Sequence, residues 1–264
     1  MHNRVGRWPA LLVTLALAGA VLSGCTYKSG PKTLATEEKP PAATTVTGAR
    51  EILETAVAKT LQGGRKFWFQ GWIYTKVQKR KTNSMYNEGT FDRDKGFLIK
   101  ASILQKRYNY YRWEDRVYVS EGENWRRAAN NEIPPDPFSG FQQLAGVADR
   151  MLELPGEKIM GQDCQVLQVE LAGAEIARVV PPGINMPASK AALAQLAKAK
   201  LTYTIWIGKK DNFIYQYKAR LTIPVPGAGA MAQETFFKFG DYNNPSVNLA
   251  RPERIERYLV KEEK

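Results

Sequence analysis

Apolar residues recur at helical spacing near residue 50 and at alternate positions after it. A stripe with intervals of three and four residues predicts an amphipathic helix over residues 49–62, ended by Gly63-Gly64. From residue 66 to residue 125 the chain instead shows short alternating segments between turn-forming stretches, which is typical of strands. Such short connections predict antiparallel neighbours, because a parallel crossover needs about a dozen residues or more. The helical stripe consists of Ile52, Leu53, Ala56, Val57 and Leu61.

A second helix is predicted over residues 136–152, where Asp136-Pro137 supplies the N-terminal signal and Pro155-Gly156 the stop. A hairpin, a weaker Ala-rich helix at about residues 189–198 and three further strands follow. This order predicts an α+β fold in which three helices cover the concave face of one large antiparallel sheet. A sheet of about ten strands tends to curl, so we expect a trough under the helices. The second helix carries its apolar stripe at Phe138, Phe141, Leu144, Ala145, Ala148, Met151 and Leu152.

The N-terminus has the features of an export signal. Arg4 and Arg7 precede an apolar run over residues 10–21. That run is shorter than the about 20 residues that a membrane-spanning helix needs. It leads into Leu22-Ser23-Gly24-Cys25, which resembles the lipobox of bacterial lipoproteins. The resemblance implies that residues 1–24 are removed and that Cys25 receives a diacylglycerol and fatty-acid (palmitate-type) anchor. The alternative is a plain secretory signal that happens to contain a cysteine.

The lipoprotein resemblance sets the expected location and domain plan. It implies a body in the cell envelope, anchored to the outer face of the plasma membrane, or to the outer membrane if the host has two. Residues 25–47 are rich in Thr, Pro, Lys, Glu and Ala without apolar periodicity. We therefore expect a flexible tether with a reach of roughly 25 Å. Residues 48–252 form the single predicted domain, and residues 253–264 a charged tail.

The histidine count bears on catalysis. The 264-residue chain has one histidine, His2, which leaves with the predicted signal peptide. Ser-His-Asp, Cys-His and histidine-based zinc chemistry are then excluded, since each needs an imidazole. Cys164 is the one cysteine besides Cys25, so a lipid on Cys25 leaves no intramolecular disulfide. We therefore expect a non-enzymatic protein with no catalytic residue, cofactor or metal site.

Positive charge is concentrated in the first half of the predicted sheet. The formal net charge is +12, or +10 without the leader, and residues 65–127 contribute +8 from 15 Lys/Arg and 7 Asp/Glu. Such a region is either a solvated face or a surface for anionic lipid headgroups, where each Lys or Arg contributes about 1 kcal/mol. Nucleic acid is not an expected partner, because an exported lipoprotein rarely meets it. The clusters are Lys79, Arg80 and Lys81, Lys106 and Arg107, and Arg126 and Arg127.

Several stretches of the body combine turns with aromatic residues. They are residues 111–119 with Trp125, Ile159-Met-Gly-Gln-Asp-Cys164, Ile205-Trp-Ile-Gly208, Asn212-Phe-Ile-Tyr215, and Phe239-Gly-Asp-Tyr-Asn-Asn244 with Val247-Asn-Leu and Pro252. In this order they resemble the LolA-like lipoproteins, a superfamily of lipoprotein carriers, mycobacterial lipid-binding lipoproteins and envelope stress sensors. The resemblance implies a half-barrel closed by helices over an apolar cavity for acylated ligands. A related branch, the germination lipoproteins of spore formers, implies an alternative, an envelope sensor or partner that docks a cell-wall or membrane protein.

Apolar stripes on helices ordinarily form the core. In a LolA-like carrier they would also leave a gap that acyl chains fill, and large aromatic residues and adaptable methionines suit such a pocket. Strand residues are further candidates, and the face that each takes depends on the strand register. We expect a membrane-anchored protein that binds or carries a lipid or an acylated protein. The candidates for lining its cavity are Trp68, Trp72, Tyr74, Tyr108, Tyr110, Phe138, Phe141, Leu144 and Met151.

Overall fold

The computed structural model describes residues 48–77, 80–179, 194, 196–225, 229–252 and 255. The predicted signal peptide, Cys25, the tether and Lys79 lie outside these residues. Of the third predicted helix, only residues 194 and 196–198 are described, and residues 194 and 196 are helical.

Eleven strands form one open sheet in the described part of the chain. They are β1 (Lys66–Val77), β2 (Arg80–Asp92), β3 (Gly96–Ile103), β4 (Lys106–Trp113), β5 (Arg116–Glu121), β6 (Asn124–Arg127), β7 (Arg150–Ile159), β8 (Gln162–Ala172), β9 (Lys200–Gly208), β10 (Ile214–Val225) and β11 (Gly229–Gly240). Their order in the sheet is β6-β5-β4-β3-β2-β1-β11-β10-β9-β8-β7. Every neighbouring pair is antiparallel, which confirms the predicted pairing. The pairing of the first strand with the last joins two meanders at the middle of the sheet.

Two α-helices are described. α1 (Ala49–Ala58) continues into a π-helical turn at Lys59–Gly63, so the first predicted helix is confirmed. α2 (Phe141–Val147) is much shorter than the helix predicted over residues 136–152. Shorter 3₁₀ turns lie at Asn130–Glu132 and Gly173–Arg178.

The long second helix was a wrong prediction for a physical reason. The turn begins at Gly140, whose φ of 84° is left-handed, so the preceding residues do not continue the helix. Ala148 has a ψ of 127°, which is extended, and β7 starts two residues later. Met151 and Leu152 therefore lie on a strand paired with β8. Strand pairing has overridden their helical spacing.

The helices cover one face of the sheet, which we call the inner face. Along β1, Phe67 and Phe69 point to this face and belong to one buried cluster with Leu53 of α1 and Leu144 of α2. Complete burial of a leucine side chain contributes about 1.5–3 kcal/mol. The opposite, outer face carries the intervening residues. The predicted fold class is confirmed: an α+β architecture with helices over one face of a large antiparallel sheet.

The two ends of the sheet differ, and we name each after a turn. The Asp94 end carries the turns at residues 93–95, 114–115 and 209–213. The Leu104 end carries the turn at residues 104–105, and both β1 and β10 finish there. Leu104 itself is 55% exposed at the tip of its turn.

Candidate functional site

Aromatic rings fill the inner face at the Asp94 end. Phe138, shortly before α2, stacks on Phe239 with 4.2 Å between ring centroids. Phe141 of α2 contacts Tyr217 at 5.0 Å. All four residues are buried, so α2 and the segment before it close this half of the inner face. The remaining rings of this aromatic block are Phe67, Phe69, Phe91, Phe97 and Phe237.

Two buried tyrosine hydroxyls of the inner face are hydrogen-bonded to the covering segments. Tyr217 donates to the Pro137 carbonyl oxygen at 2.7 Å, and Tyr203 donates to the Val179 carbonyl oxygen at 2.7 Å. Burial raises the pKa of both phenols far above the ordinary value, so each remains a neutral donor. These hydroxyls are satisfied within the fold.

Toward the Leu104 end, the inner face changes from aromatic rings to smaller side chains. Gly71 lies at the boundary. The Phe237 ring occupies the space beside it, so that a Cβ at residue 71 would lie 2.4 Å from the ring. Beyond Phe237, β1, β10 and β11 present aliphatic and small polar residues, several of them half-buried. We call this part of the inner face the trough, and it is the candidate functional site. It comprises Ile73, Thr75, Met85, Ile103, Ala219, Leu221, Ile223, Met231, Gln233 and Thr235.

The trough residues become less buried toward the Leu104 end. Ile73 and Ala219 are buried, whereas Met85, Ile223 and Met231 are half-buried. In the strand register, Ile223 lies opposite Met231, and Met85 lies opposite Ile103. These half-buried residues form an aliphatic rim at the Leu104 end. Apolar side chains that border water in this way are suited to contact with a hydrocarbon chain.

Two polar groups inside the trough have no hydrogen-bond partner among the described residues. They are the Thr235 hydroxyl and the Gln233 side-chain nitrogen. Both side chains point to the inner face, because Thr235 pairs with Ile73 and Ala219, and Gln233 with Thr75 and Leu221. The Thr75 hydroxyl, in contrast, is hydrogen-bonded to the Ser84 hydroxyl at 2.9 Å.

Six of the residues predicted to line a cavity lie on the inner side. Tyr108 and Tyr110 are on the inner face of β4, and burial raises the pKa of Tyr110 to about 12. Met151 is on β7 rather than α2, but it still packs against the main core. The contribution of these residues to a ligand cavity stays a prediction. The other three are Phe138, Phe141 and Leu144, which belong to the same buried cluster.

Three of the predicted lining residues lie on the wrong face for that role. Trp68, Trp72 and Tyr74 alternate with the inner residues of β1 and therefore point to the outer face. Trp72 contacts the rings of Tyr86 and Phe236, each at 5.5 Å between centroids. A difference of one residue in a strand moves a side chain to the opposite face, which explains the error.

The basic clusters of the sequence do not combine into one surface. Strand alternation places Lys106 and Arg126 toward the inner side, and Arg107 and Arg127 toward the outer side. The side chain of Arg80 lies outside the described residues. Three of the described cations form ion pairs, Lys81 with Glu234 at 3.2 Å, Lys106 with Glu121 at 3.3 Å and Arg126 with Glu132 at 2.6 Å. A single membrane-facing patch made of these residues is therefore not supported.

Among the described residues, no group of three or more His, Cys, Asp or Glu side chains could hold a metal ion. None of the helices in that part of the chain combines the length and the hydropathy needed to cross a membrane.

Comparisons with known proteins relate this chain to others through its structure. No family model matches the sequence, and no curated protein matches it. The solved lipoprotein LppX of Mycobacterium tuberculosis is 12% identical with a TM-score of 0.49, covering 76% of this chain and 98% of that chain. LprF of Mycobacterium bovis is 13% identical with a TM-score of 0.47, covering 77% and 96%. The likeness is one of fold.

A LolA superfamily protein of Nitrosomonas europaea is also similar, at 9% identity and a TM-score of 0.28, covering 73% of this chain and 91% of that chain. The solved structures similar to this chain thus include two lipoproteins and a LolA superfamily protein. Identities and TM-scores this low carry no inference about ligand, partner or location.

None of the ten trough residues was among the lining residues predicted from the sequence. Ile223, Met231, Gln233 and Thr235 belong to strands that were predicted, but none was a candidate for the site. Alternation along β11 was the available signal, because Phe237 and Phe239 share a face with residues 231, 233 and 235. The unpartnered state of two polar atoms depends on tertiary contacts and has no sequence signal.

Proposed function

We propose that this chain is a non-enzymatic lipoprotein of the bacterial cell envelope that binds a lipid or an acylated ligand in the trough. One observation carries the proposal. The inner face is closed by aromatic rings at the Asp94 end, whereas its aliphatic Leu104 end is only partly covered. Apolar surface in water costs about 25 cal/mol per Å². An acyl chain laid along the trough removes that cost, and no catalytic group is needed.

The expected affinity follows from the length of chain that is buried. About ten methylene groups at about 0.8 kcal/mol each contribute roughly 8 kcal/mol, which corresponds to a Kd near 1 μM. Ordering of the ligand and of half-buried side chains such as Met231 opposes binding. A Kd of about 1 μM is therefore the tight limit for a single chain of this length, and ligands with two chains should bind more tightly than ligands with one.

Adjacent residues of β10 provide a matched test of the site. Ile223 points into the trough and Thr222 points to the outer face, and both are half-buried. Ile223→Glu should weaken the binding of a fluorescent fatty-acid probe at least tenfold, because it places a carboxylate on the aliphatic rim. Thr222→Glu adds the same charge one residue away and should leave the affinity within about twofold. Equal effects of the two variants would refute binding in the trough.

Native mass spectrometry of the body purified from an envelope fraction gives an independent readout. The proposal expects a co-purifying lipid mass that decreases in Ile223→Glu and persists in Thr222→Glu. A clean apo mass together with no probe binding by the unaltered chain would refute the carrier function. That result would favour the alternative of an envelope sensor or docking partner.

The anchor is a separate part of the proposal. It is supported by the lipobox resemblance at Leu22-Ser23-Gly24-Cys25, which follows a basic head and a short apolar run. Metabolic labelling with an alkynyl fatty acid should mark the full chain, and Cys25→Ser should abolish the label. Labelling that survives Cys25→Ser, or an unlabelled chain, would refute this anchor and leave the trough to be judged by its own test.

A further inference from the structure

Thr235 is an unusual residue for its position. It is 1% exposed and lies on the inner face of β11, between Ile73 of β1 and Ala219 of β10. Its hydroxyl has no hydrogen-bond partner among the described residues. Leaving a buried hydroxyl unpaired costs about 1–3 kcal/mol. A valine would fill the same volume without that cost, so the hydroxyl is a candidate for ligand binding rather than for packing.

Gln233 repeats the feature two residues nearer to the Leu104 end. Its side-chain nitrogen is buried and also lacks a partner among the described residues, although the side chain as a whole is half-buried. Two residues along a strand correspond to about 6.6 Å, and both side chains point to the same face. The amide nitrogen is a donor only, whereas the threonine hydroxyl can donate or accept. Together they offer hydrogen-bond donors inside an otherwise aliphatic surface.

The charge of this region restricts the chemistry of the acceptor. The trough residues are all uncharged, and Lys218 and Arg220 of β10 alternate to the outer face. Lys106, which lies opposite Ile103 at the inner side, is already paired with Glu121 at 3.3 Å. An ionised carboxylate or phosphate buried at Thr235 would lack a cation, which is costly. A neutral carbonyl oxygen has no such requirement and accepts from either donor.

We propose that Thr235 and Gln233 bind the carbonyl of an acyl ester, and that the trough therefore selects acyl esters over plain hydrocarbon chains. This inference rests on the proposed function, because it assumes that an acyl chain occupies the trough. The Thr235 hydroxyl donates to the ester carbonyl, the Gln233 amide donates to the same group or to a second ester, and the hydrocarbon chain lies along the aliphatic residues.

A pair of ligands that differ only in the carbonyl tests the proposal. Glycerol monopalmitate has an ester, and glycerol monohexadecyl ether has the same headgroup and chain length without the carbonyl. Each would displace a fluorescent fatty-acid probe from the mature chain. We expect the unaltered chain to prefer the ester about tenfold. Thr235→Val should bring the ratio close to one by weakening ester binding, with the affinity for the ether unchanged.

Two further variants make the result interpretable. Gln233→Leu should reduce the preference for the ester in part, and Thr202→Val, on the outer face of β9, should leave it unchanged. The midpoint of thermal unfolding of Thr235→Val should equal or exceed that of the unaltered chain, since no hydrogen bond of the fold is lost. A midpoint lower by several degrees would place the hydroxyl in a structural bond and overturn the proposal.

The outcomes separate this inference from the proposed function. Equal affinity of the unaltered chain for ester and ether would overturn the selection of a carbonyl and leave the carrier function standing. A preference for the ester that survives both Thr235→Val and Gln233→Leu would likewise overturn the assignment of these residues. No displacement of the probe by either ligand would overturn the carrier function, and the inference with it.

Discussion

Replacement of Phe141 by alanine tests whether the aromatic block holds α2 on the sheet. Phe141 is 1% exposed, and its ring centroid lies 5.0 Å from that of Tyr217, 5.5 Å from that of Tyr203 and 5.7 Å from that of Phe138. Truncation of a buried phenylalanine to alanine costs about 3–5 kcal/mol, because transfer free energy is lost and a cavity is left. The upper half of that range applies here, since the ring has aromatic partners on both the sheet and its own segment.

Urea unfolding followed by tryptophan fluorescence measures this loss of unfolding free energy directly, and thermal unfolding gives the corresponding change in Tm. For a domain of about 200 residues, each kcal/mol lowers Tm by about 2–4 °C, so Phe141→Ala should lower Tm by roughly 10 °C or more. The matched control is Gln142→Ala, the next residue of α2, which is exposed and should change stability by less than about 0.5 kcal/mol. A loss below about 1 kcal/mol for Phe141→Ala would refute the view that this ring fixes α2 over the sheet.

Three further predictions follow from local geometry and electrostatics. Gly140→Ala should destabilise the chain by about 1–3 kcal/mol in the same urea assay, because the φ of Gly140 is 84° and a Cβ there would lie 3.0 Å from the Cα of Val179; an unchanged midpoint would contradict this. The hydrogen bond from Arg126 lowers the pKa of Glu132 below the ordinary value for a glutamate. The stabilising effect of the carboxylate is therefore present above that value and is lost as the pH falls through the lowered pKa. Glu132→Gln should thus be less stable than the unaltered chain at pH 7 and equal to it in strong acid, and a stability difference that does not depend on pH would argue against this ion pair. Burial should delay ionisation of Tyr110 to about pH 12, which ultraviolet difference titration against Tyr110→Phe would detect as a missing late step; a missing step near pH 10 would contradict the assigned burial.

Local patterns were sufficient for most of the strands, but they were insufficient for β6, for the first half of β7 and for the second helix. β1 is rich in aromatic and β-branched residues between turn-forming stretches, which favours a strand, so the strand was predicted. Residues 148–152 fit a helical stripe equally well, and only pairing of β7 with β8 decides their conformation. The face taken by Trp72 was undecided for the same reason, since both faces of β1 carry large aromatic residues.

The sequence predicted the kind of site better than it predicted the residues that form it. A curled antiparallel sheet with helices on one side implies an apolar inner surface, and Phe138 and Phe141 were expected on it. These residues form the closed half of that surface. The partly covered half is lined by residues such as Ile223 and Met231, whose ordinary alternation gives no indication of how much cover they receive.

The sequence by itself determined most of the antiparallel strands and the helix ahead of them, because each depends on residues close together in the chain. Only the tertiary structure decided that β1 pairs with β11, which half of the inner face is closed, and that Thr235 is buried without a partner. These properties depend on contacts between different elements of the fold, some of which lie more than a hundred positions apart in the chain. Burial and hydrogen bonding are defined by what surrounds a side chain, and residues distant in the chain supply those surroundings here.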